Sequence, residues 1–465
     1  MSLTYLQADR PMTVTTPLGP DVLLLTGFAG DEAISQLFRF QLDLVTEDQT
    51  LVEFDKLLGR MVTINLTRPE EGRRHFSGIC ASLSQGMRER NLTTFRMEIV
   101  PNLWFLTCSA ERSSSTSPSP RSSARSWRSP TSSSARGDVP PADYCVQYRE
   151  TDFHASRLME EEGIYYYFRH HARGHQTVVS DRANFPELQP GTLILQAIEG
   201  PHVEEQRVTR WETRQHLRSG KVTLRDHTFE LPHKALEAAV VIQESVQVGQ
   251  MTHKLKIGRS GEKFELYDWP GAYAQRVDGV DDGGIDRPGE LEQIFKDNQR
   301  TAGIRMQQEA SESVVVQGAS RYRHLVSGHA FTLEERVGLP YVGNSSRDGR
   351  YVLTAVGHVG RMADNYRSGE EAGTLYENTF TCVPAGLPFR PRRVTPRPMI
   401  TGPQSAVVVG PPGEEIHTDK YGRVKVQFHW DRQGRQDDDS SCWVRVAQIA
   451  AGGGFGGVHI PRVGQ

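Results

Sequence analysis

The sequence predicts a mainly β protein with minor α content, and three observations predict that class. Residues 423–430 alternate polar and apolar side chains over eight positions, the pattern of a half-buried strand. Short apolar runs broken by turns recur through residues 1–107. The 465 residues include 43 glycines and 26 prolines with 37% hydrophobic content, a composition typical of strands and turns. The predicted buried face of the first segment holds Val424, Val426, Phe428 and Trp430.

The N-terminal region is predicted to form an antiparallel barrel or sandwich. Its apolar runs have the length of strands, and the segments between them are rich in turn-forming residues. The runs span residues 22–25, 37–45, 61–66, 75–83 and 93–99.

Residues 152–162 give the clearest helix prediction, with Asp152 as N-cap and Gly163 as the stop signal. A strand is predicted to follow over residues 164–168. Residues 177–179 are expected to pair with it across a turn.

Residues 200–383 are again strand-rich, with one helix predicted over 291–310. Residues 384–403 contain six prolines mixed with arginines, which predicts a stiff extended linker. The chain is therefore divided into a base over residues 1–383, this linker, and a C-terminal domain over residues 404–465.

The C-terminal domain is predicted to be a small barrel. A turn over 419–422 precedes the alternating segment, and a glycine loop over 451–457 lies between expected strands. The loop lacks the Gly-Lys-Ser/Thr of a phosphate loop, and glycines suit a sharp turn with close backbone approach.

Several motifs in order resemble the VgrG family, the spike proteins of bacterial type VI secretion systems, which are similar to contractile-phage hub and spike proteins. The motifs lie in residues 25–40, 144–166, 267–271, 323–329 and 419–462. The resemblance implies phage-hub-like β-barrel domains followed by an OB-fold. Because the family continues beyond the position of Gln465, we expect an incomplete barrel and poor self-assembly of this chain alone.

The resemblance implies a non-enzymatic function. In the family a homotrimeric hub caps a tube of haemolysin-coregulated protein, a PAAR-repeat tip and effectors sit on the far end, and the assembly punctures target membranes. Eight residues fall on family motif positions, with an implied structural role in the barrel or its subunit contacts: Asp419, Gly422, Arg423, Asp431, Trp443, Gly457, Pro461 and Arg462.

Two other functions stay open at this point. One is a phage-tail-like hub carrying an enzymatic C-terminal effector domain, which residues after Gln465 would reveal. The other is an OB-fold nucleic-acid binder, for which Arg423, Lys425, Phe428 and Trp430 give a weak aromatic and basic pattern. A net charge of -3 and a pI near 6.6 argue against nucleic-acid and anionic-membrane partners.

The five cysteines are far apart and form no C-x-x-C pair, which predicts reduced thiols in a protein made in the cytosol. The first twenty residues lack a basic segment followed by an apolar core, so no signal peptide is predicted. Export is expected to use the type VI machinery that the resemblance implies.

No catalytic, cofactor-binding or metal-binding residue is predicted. Residues 169–176 are expected to form a polar turn with solvated histidines, although His171 and His175 have an i, i+4 spacing. Acidic runs at 160–162 and 437–439 are expected to be a solvated helix face and a loop tip. Ser260 and Lys263 match S-x-x-K without its companion motifs, and Cys145 is expected to be a core thiol.

Residues 109–138 break the pattern, with thirteen serines and five arginines among thirty positions. A disordered linker and an Arg/Ser segment that binds RNA are two interpretations. We favour a third, translation out of frame. GC-rich codons for residues 113–129 read in a shifted frame encode an amphipathic helix with a serine cap and a proline in its first turn. We expect no stable structure over residues 109–138.

Overall fold

The computed structural model describes residues 5–8, 10–48, 50–68, 72–89, 91–109, 131–133, 146–195, 207–256, 263–271, 273, 288–336, 347–362, 374–432 and 434–465. Within these ranges the chain forms 24 strands and two α-helices, so the mainly β prediction is confirmed.

The first six strands form an antiparallel sheet in the order β1-β4-β5-β6-β3-β2. Strand β3 shows why the sequence folds this way, because Phe40, Leu42 and Leu44 are buried while Gln41 and Asp43 between them are exposed. Each predicted apolar run overlaps one strand of this sheet. The strands are β1 Met12–Thr15, β2 Leu24–Ala33, β3 Arg39–Glu47, β4 Met61–Arg68, β5 Gly72–Glu89 and β6 Leu92–Val100.

The middle of the chain contributes fourteen strands and both helices. The strands are β7 Thr131–Ser133, β8 Tyr165–His171, β9 Gly174–Ser180, β10 Glu187–Leu195, β11 Arg207–Gln215, β12 Lys221–Asp226, β13 Leu236–Val241, β14 Ser245–Val248, β15 Met251–Lys254, β16 Glu265–Asp268, β17 Val314–Ser320, β18 Ala330–Glu335, β19 Gly349–Met362 and β20 Thr374–Pro384. The helices are α1 Ser156–Glu161 and α2 Pro288–Ala310, the latter close to the predicted 291–310.

Six of these strands close into a barrel. The order β19-β18-β10-β11-β17-β20 returns to its start because β20 also pairs with β19. Strand β19 is long enough to serve two units, since its residues 355–361 also pair with β2 of the N-terminal sheet. The barrel core includes Leu193, Val316, Phe331, Leu333 and Leu353. A shared strand therefore fixes the barrel to the N-terminal sheet.

A smaller unit lies beside the barrel, where the sheet β13-β12-β16 packs against α2. Apolar side chains from both elements form one buried cluster, among them Val222, Leu224, Ala302 and Met306. Burying such a side chain stabilises a fold by about 1.5–3 kcal/mol. Among the described residues, no helix has the length and apolar character needed to span a bilayer.

The helix predicted over 152–162 differs at its start. Residues Asp152–Ala155 form a 3-10 turn, and α1 follows it. Thr151, not Asp152, occupies the cap position, and its backbone N–H donates to Nδ1 of His154 at 3.3 Å. The stop at Gly163 is confirmed by its φ of 65°, a conformation that glycine adopts without steric cost.

The strand after this helix pairs as predicted, with Tyr166 opposite Val179 in the hairpin β8–β9. The predicted polar turn over 169–176 is wrong, because β8 extends to His171 and β9 begins at Gly174. His170 and His175 therefore face each other across the hairpin and are buried, not solvated.

The C-terminal domain contains β21 Ala406–Val409, β22 Lys425–Phe428, β23 Ala450–Gly452 and β24 Phe455–Gly457. Strand β22 is shorter than the eight alternating residues, and its burial is not confined to one face. Val424 and Val426 are buried as predicted, but Phe428 and Trp430 are only half-buried. The opposite face is also buried, because its polar side chains Arg423, Lys425 and Gln427 have partners within the domain.

The serine-rich segment lies mostly outside the described residues. Within it, Thr131–Ser133 forms β7 and pairs in parallel with β9, so the expectation of no stable structure is wrong for these three residues.

Candidate functional site: the junction between base and C-terminal domain

Residues 384–403, called the strap from here on, connect β20 to the C-terminal domain. The strap is extended, as its prolines predict. Between residues 387 and 397 it is also bound to the base, chiefly to α1, α2 and the segments that flank the hairpin β8–β9. The contacts fall into a buried carboxylate, an arginine anchor, surface ion pairs and an apolar contact.

The carboxylate of Glu160 on α1 holds the middle of the strap. Its Oε2 accepts the backbone N–H groups of Val394 and Thr395, both at 2.9 Å. Its Oε1 accepts the hydroxyl of Thr395 at 2.8 Å. Glu160 is 6% exposed, so these bonds are largely shielded from water. A hydrogen bond to a charged group stabilises by roughly 1.5–3 kcal/mol, which makes this carboxylate the strongest polar contact of the strap.

Arg390 anchors the strap to the turn that ends α1. Its Nη1 donates to the carbonyl of Gly163 at 2.9 Å and to that of Asp181 at 2.6 Å. Its Nε donates to Oε1 of Gln307 on α2 at 2.8 Å. Burial lowers the pKa of Arg390, and an arginine nevertheless stays protonated in a protein. One guanidinium thus ties the strap to three separate segments of the base.

Ion pairs add a weaker set of contacts. Glu161 lies 2.7 Å from Nε of Arg397 and 3.8 Å from Nη2 of Arg393, and Glu312 lies 2.9 Å from Nε of Arg392. These arginines are partly exposed, and such pairs contribute about 0–1 kcal/mol each. The expectation of a solvated helix face over 160–162 is therefore wrong, because all three glutamates are paired and Glu162 contacts Arg300 at 2.6 Å.

The start of the strap is held by apolar packing. Leu387 is 2% exposed within the cluster of α2 and its sheet. The ring of Phe389 lies 5.8 Å from Tyr165 and 6.2 Å from Phe185, in edge-on geometries that aromatic pairs prefer.

The C-terminal domain also contacts the base directly at two places. At the first, the rings of Trp430 and Tyr148 lie 5.4 Å apart, and Gln404 of the domain bridges them. Its Oε1 accepts the indole N–H at 2.9 Å, and its Nε2 donates to the Tyr148 hydroxyl at 2.9 Å.

At the second place, Phe229 of the base lies against the turn that precedes β22. Its ring is 4.9 Å from that of Tyr421, in a T-shaped geometry. The guanidinium groups of Arg423 and Arg445 lie 5.3 and 5.6 Å from the Phe229 centroid. A cation over an aromatic face contributes about 0.5–2 kcal/mol, so Phe229 is a central residue of this contact.

Three of the predicted site residues lie together at that second place. Oδ1 of Asp419 accepts the backbone N–H groups of Tyr421 and Arg423, and Oδ2 pairs with Nε of Arg423 at 2.6 Å. Gly422 completes the turn with a φ of 70° and an N–H bond to the Asp419 carbonyl. This local network holds Arg423 over Phe229.

The other predicted site residues are distributed over the rest of the domain. Trp443 is buried beneath Nζ of Lys425 at 4.8 Å, and Asp431 accepts from Gln427 at 3.1 Å. Gly457 and Arg462 are exposed, and Pro461 is half-buried. The structural role that the resemblance implies for these residues stays a prediction.

The surface that a nucleic-acid binder would use is occupied within the protein. Lys425 is 1% exposed, Arg423 pairs with Asp419, and Trp430 contacts Tyr148. Single-strand binders instead present aromatic and basic side chains to solvent. Among the described residues, moreover, no group of three or more His, Cys, Asp or Glu side chains could hold a metal ion. Cys145 and Ser260 lie outside the described residues.

Among the described residues, the junction consists of packing contacts, hydrogen bonds and ion pairs. A buried carboxylate, an arginine anchor and two aromatic contacts fix the C-terminal domain to the base. The sequence offered a signal for the strap that the predictions did not use. Arginines at 390–397 complement glutamates at 160–162, an opposite-charge pattern across a long separation. Nothing local in the sequence marks Phe229 as the residue of the base that Arg423 and Arg445 contact.

Comparison with known proteins matches two families along the chain. Residues 31–365 match the phage tail baseplate hub (GPD) family, and residues 413–465 match the type VI secretion system/phage-baseplate injector OB domain. The first match covers the smaller unit and most of the N-terminal sheet and the barrel, without β1 and β20. The second covers β22 to β24 and all eight predicted site residues.

Three curated relatives come from Pseudomonas aeruginosa. The type VI secretion system spike proteins VgrG1b and VgrG1a are each 35% identical over 99% of this chain, which covers 58% and 67% of their lengths. VgrG1c is 33% identical over 100% of this chain and 60% of its own. This chain thus spans about three fifths of VgrG1b and VgrG1c.

Among solved structures, one is an Escherichia coli protein, c3393, described as a component of the type VI secretion system with structural similarity to the T4 bacteriophage tail proteins gp27 and gp5. It aligns with a TM-score of 0.57 and 17% identity, over 93% of this chain and 92% of that one. This similarity shows the fold.

Proposed function

Because the chain belongs to the VgrG family of type VI secretion spike proteins, we propose that it forms the base and first barrel of a non-enzymatic spike. In this proposal it assembles as a homotrimer together with the further parts of the spike, and the trimer caps a tube of haemolysin-coregulated protein. A PAAR-repeat tip and effectors attach through further parts of the spike. The type VI machinery exports the whole assembly.

The observation that carries the proposal is the fixed junction. A spike that is pushed through a membrane must transmit axial force from its base to its tip. A flexible linker would let the C-terminal domain tilt, whereas the strap holds it through Glu160, Arg390 and Phe389. The contacts at Phe229 and Trp430 oppose rotation about the strap. The base and the C-terminal domain therefore transmit force as one body.

An exposed apolar hairpin supports the trimer. Ile449, Phe455 and Val458 on and beside β23–β24 are 99%, 74% and 80% exposed. Apolar side chains presented together on a projecting hairpin are typical of a surface that another chain covers. In a symmetric trimer the hairpin of each copy would lie against the next, so Phe455→Ser is expected to weaken self-association.

Absence of enzymatic activity is also part of the proposal. The buried histidines His170, His175 and His358 are held by packing and hydrogen bonds inside the base. We expect no turnover of peptidoglycan or phospholipid above a buffer control. Turnover that disappears on substitution of a single Ser, Cys or Glu would contradict this part.

The whole proposal is tested by secretion of the tube protein. A bacterium with an active type VI system and no spike gene of its own receives the gene that encodes this chain. We expect release of haemolysin-coregulated protein with Glu160→Gln and a marked loss with Glu160→Ala. A folded protein that neither restores release nor sediments with purified tube rings would overturn the proposal.

A further inference from the structure

A buried glutamate lies where four parts of the base meet. Glu32 is on β2, next to the strand that the N-terminal sheet shares with the barrel, and it is 1% exposed. A carboxylate in such a position is costly unless positive charges or N–H groups surround it.

Four groups from four segments surround this carboxylate. Nε2 of His170 on β8 lies 3.5 Å from its Oε2, and Nε2 of His358 on β19 lies 3.3 Å from its Oε1. Nη2 of Arg74 on β5 lies 3.5 Å from Oε1, and the backbone N–H of Ser327 donates to Oε1 at 3.4 Å. The N-terminal sheet, the hairpin β8–β9, the barrel and the loop before β18 thus meet at one side chain.

Both histidine rings present Nε2 to Glu32. Nδ1 of His170 lies 3.1 Å from the backbone nitrogen and 3.1 Å from the carbonyl oxygen of Ser77, and Nδ1 of His358 lies 2.7 Å from the hydroxyl of Tyr376. Each histidine is neutral in this arrangement, and Arg74 supplies the single positive charge that balances Glu32.

Other titratable or charged groups face the cluster from the neighbouring elements. Arg323 lies over the ring of Tyr376 at 5.8 Å, and His175 lies 6.2 Å from His170 across the hairpin. His329 follows Ser327 in the loop before β18, and its Nδ1 lies 3.2 Å from the Ser327 carbonyl.

We propose that Glu32, His170 and His358 form an acid-sensitive lock that holds the hairpin β8–β9 and the loop before β18 against the barrel at neutral pH and releases them in mildly acidic solution. A second proton on either histidine would place an uncompensated cation beside Arg74, in a site closed to water. The lock therefore opens by taking up protons.

The direction of the pH dependence follows from burial. Burial lowers the pKa of His170 and His358 from the ordinary value of 6.5. It also lowers the pKa of His175 to about 3 and that of His329 to about 4. A histidine with a lowered folded-state pKa contributes its full stability above the unfolded value. That stability is lost as the pH falls below about 6.5. The pKa of Glu32 is held low by His170, His358 and Arg74 despite its burial, so Glu32 acts in the same direction at lower pH.

The expected effect of acid is a fold-change in the equilibrium constant for opening of the hairpin β8–β9 and the loop before β18. Between pH 7.5 and 5.5, each histidine that stays neutral in the fold raises the opening constant about tenfold. His170 and His358 together should raise it about a hundredfold, and His175 and His329 add to this when the hairpin and loop open fully.

Hydrogen exchange followed by mass spectrometry tests the lock in the intact chain. After correction for intrinsic rates, we expect peptides over residues 165–180 and 323–329 to lose protection at pH 5.5, and peptides over β22 to keep it. The pH response is the ratio of the opening constants at pH 5.5 and pH 7.5. The double variant His170→Gln and His358→Gln should reduce this ratio about a hundredfold. His171→Gln is the matched control, since His171 is exposed on the same strand and should leave the response unchanged.

Two results would overturn the lock. One is a wild-type hairpin whose protection is the same at both pH values. The other is a double variant whose pH response equals that of the wild type. Where the double variant does not fold, the single variant His170→Gln compared with His171→Gln gives the same decision, with a tenfold difference expected.

Discussion

Glu160→Ala is the change that should release the strap. It removes the acceptor of two backbone N–H groups and one hydroxyl on Val394 and Thr395. Each bond to a charged acceptor is worth roughly 1.5–3 kcal/mol when buried. Val394 itself is exposed, so water replaces part of what is lost. We therefore expect the free energy of opening of the strap to fall by about 2–4 kcal/mol. The effect is local to the strap because the barrel and sheet cores are untouched.

Limited proteolysis measures this release directly, because the strap contains trypsin sites after Arg392 and Arg393. Cleavage requires opening, and a cost of about 2–4 kcal/mol raises the open population by roughly 30-fold to 1000-fold. We expect cleavage of the strap in Glu160→Ala to accelerate by at least about 30-fold while the circular dichroism spectrum is unchanged.

Two further variants serve as controls for Glu160→Ala. In Glu160→Gln the amide oxygen can still accept both backbone N–H groups, so the acceleration should stay below about tenfold. Glu161→Ala removes only partly exposed ion pairs, which are worth about 0–1 kcal/mol. Cleavage of Glu160→Ala at a rate within twofold of the wild type, or a larger effect from Glu161→Ala, would refute the reasoning that the buried carboxylate holds the strap.

Three further predictions concern single positions. Gly163→Ala should lower the free energy of unfolding by about 1–2 kcal/mol in urea titrations, because φ is 65° and a Cβ would lie 2.8 Å from Cδ of the anchoring arginine; an unchanged midpoint would contradict this. Phe229→Ala should speed hydrogen exchange in residues 419–428, whereas Phe264→Ala, at an exposed aromatic, should not; equal effects would remove Phe229 from the junction. Cys108 should react with iodoacetamide at pH 8 well before Cys382, whose burial raises its pKa, and similar rates would contradict the described packing.

Much of the fold could be predicted from the sequence because its strands are patterned locally. Alternation in β3 and the stop at Gly163 each reflect a physical rule that acts over a few residues. The closed barrel could not be predicted in the same way. Its closure depends on pairing β20 with both β17 and β19, and no local pattern specifies such long-range partners.

Several of the wrong predictions share one cause, which is that polar residues were expected at the surface. Glu160, Glu162, His170 and Lys425 are all polar in sequence and all buried in the structure. Each is stabilised by a partner far away in the chain or on another strand, such as Thr395 for Glu160. Burial of a polar group depends on whether it is paired, and pairing is a tertiary property. The bounds of base, strap and C-terminal domain stay predictions.

The central claim is that the base and the C-terminal domain move as one rigid body. Electron–electron distance measurements between spin labels at His171 on the base and His429 on the C-terminal domain test it most directly, since both side chains are exposed. With Cys108, Cys145 and Cys442 replaced by serine to avoid extra labels, we predict a single narrow distance distribution when the strap is otherwise unchanged and a broad one in Glu160→Ala. A broad distribution in the wild type, matching that of the released strap, would contradict the claim.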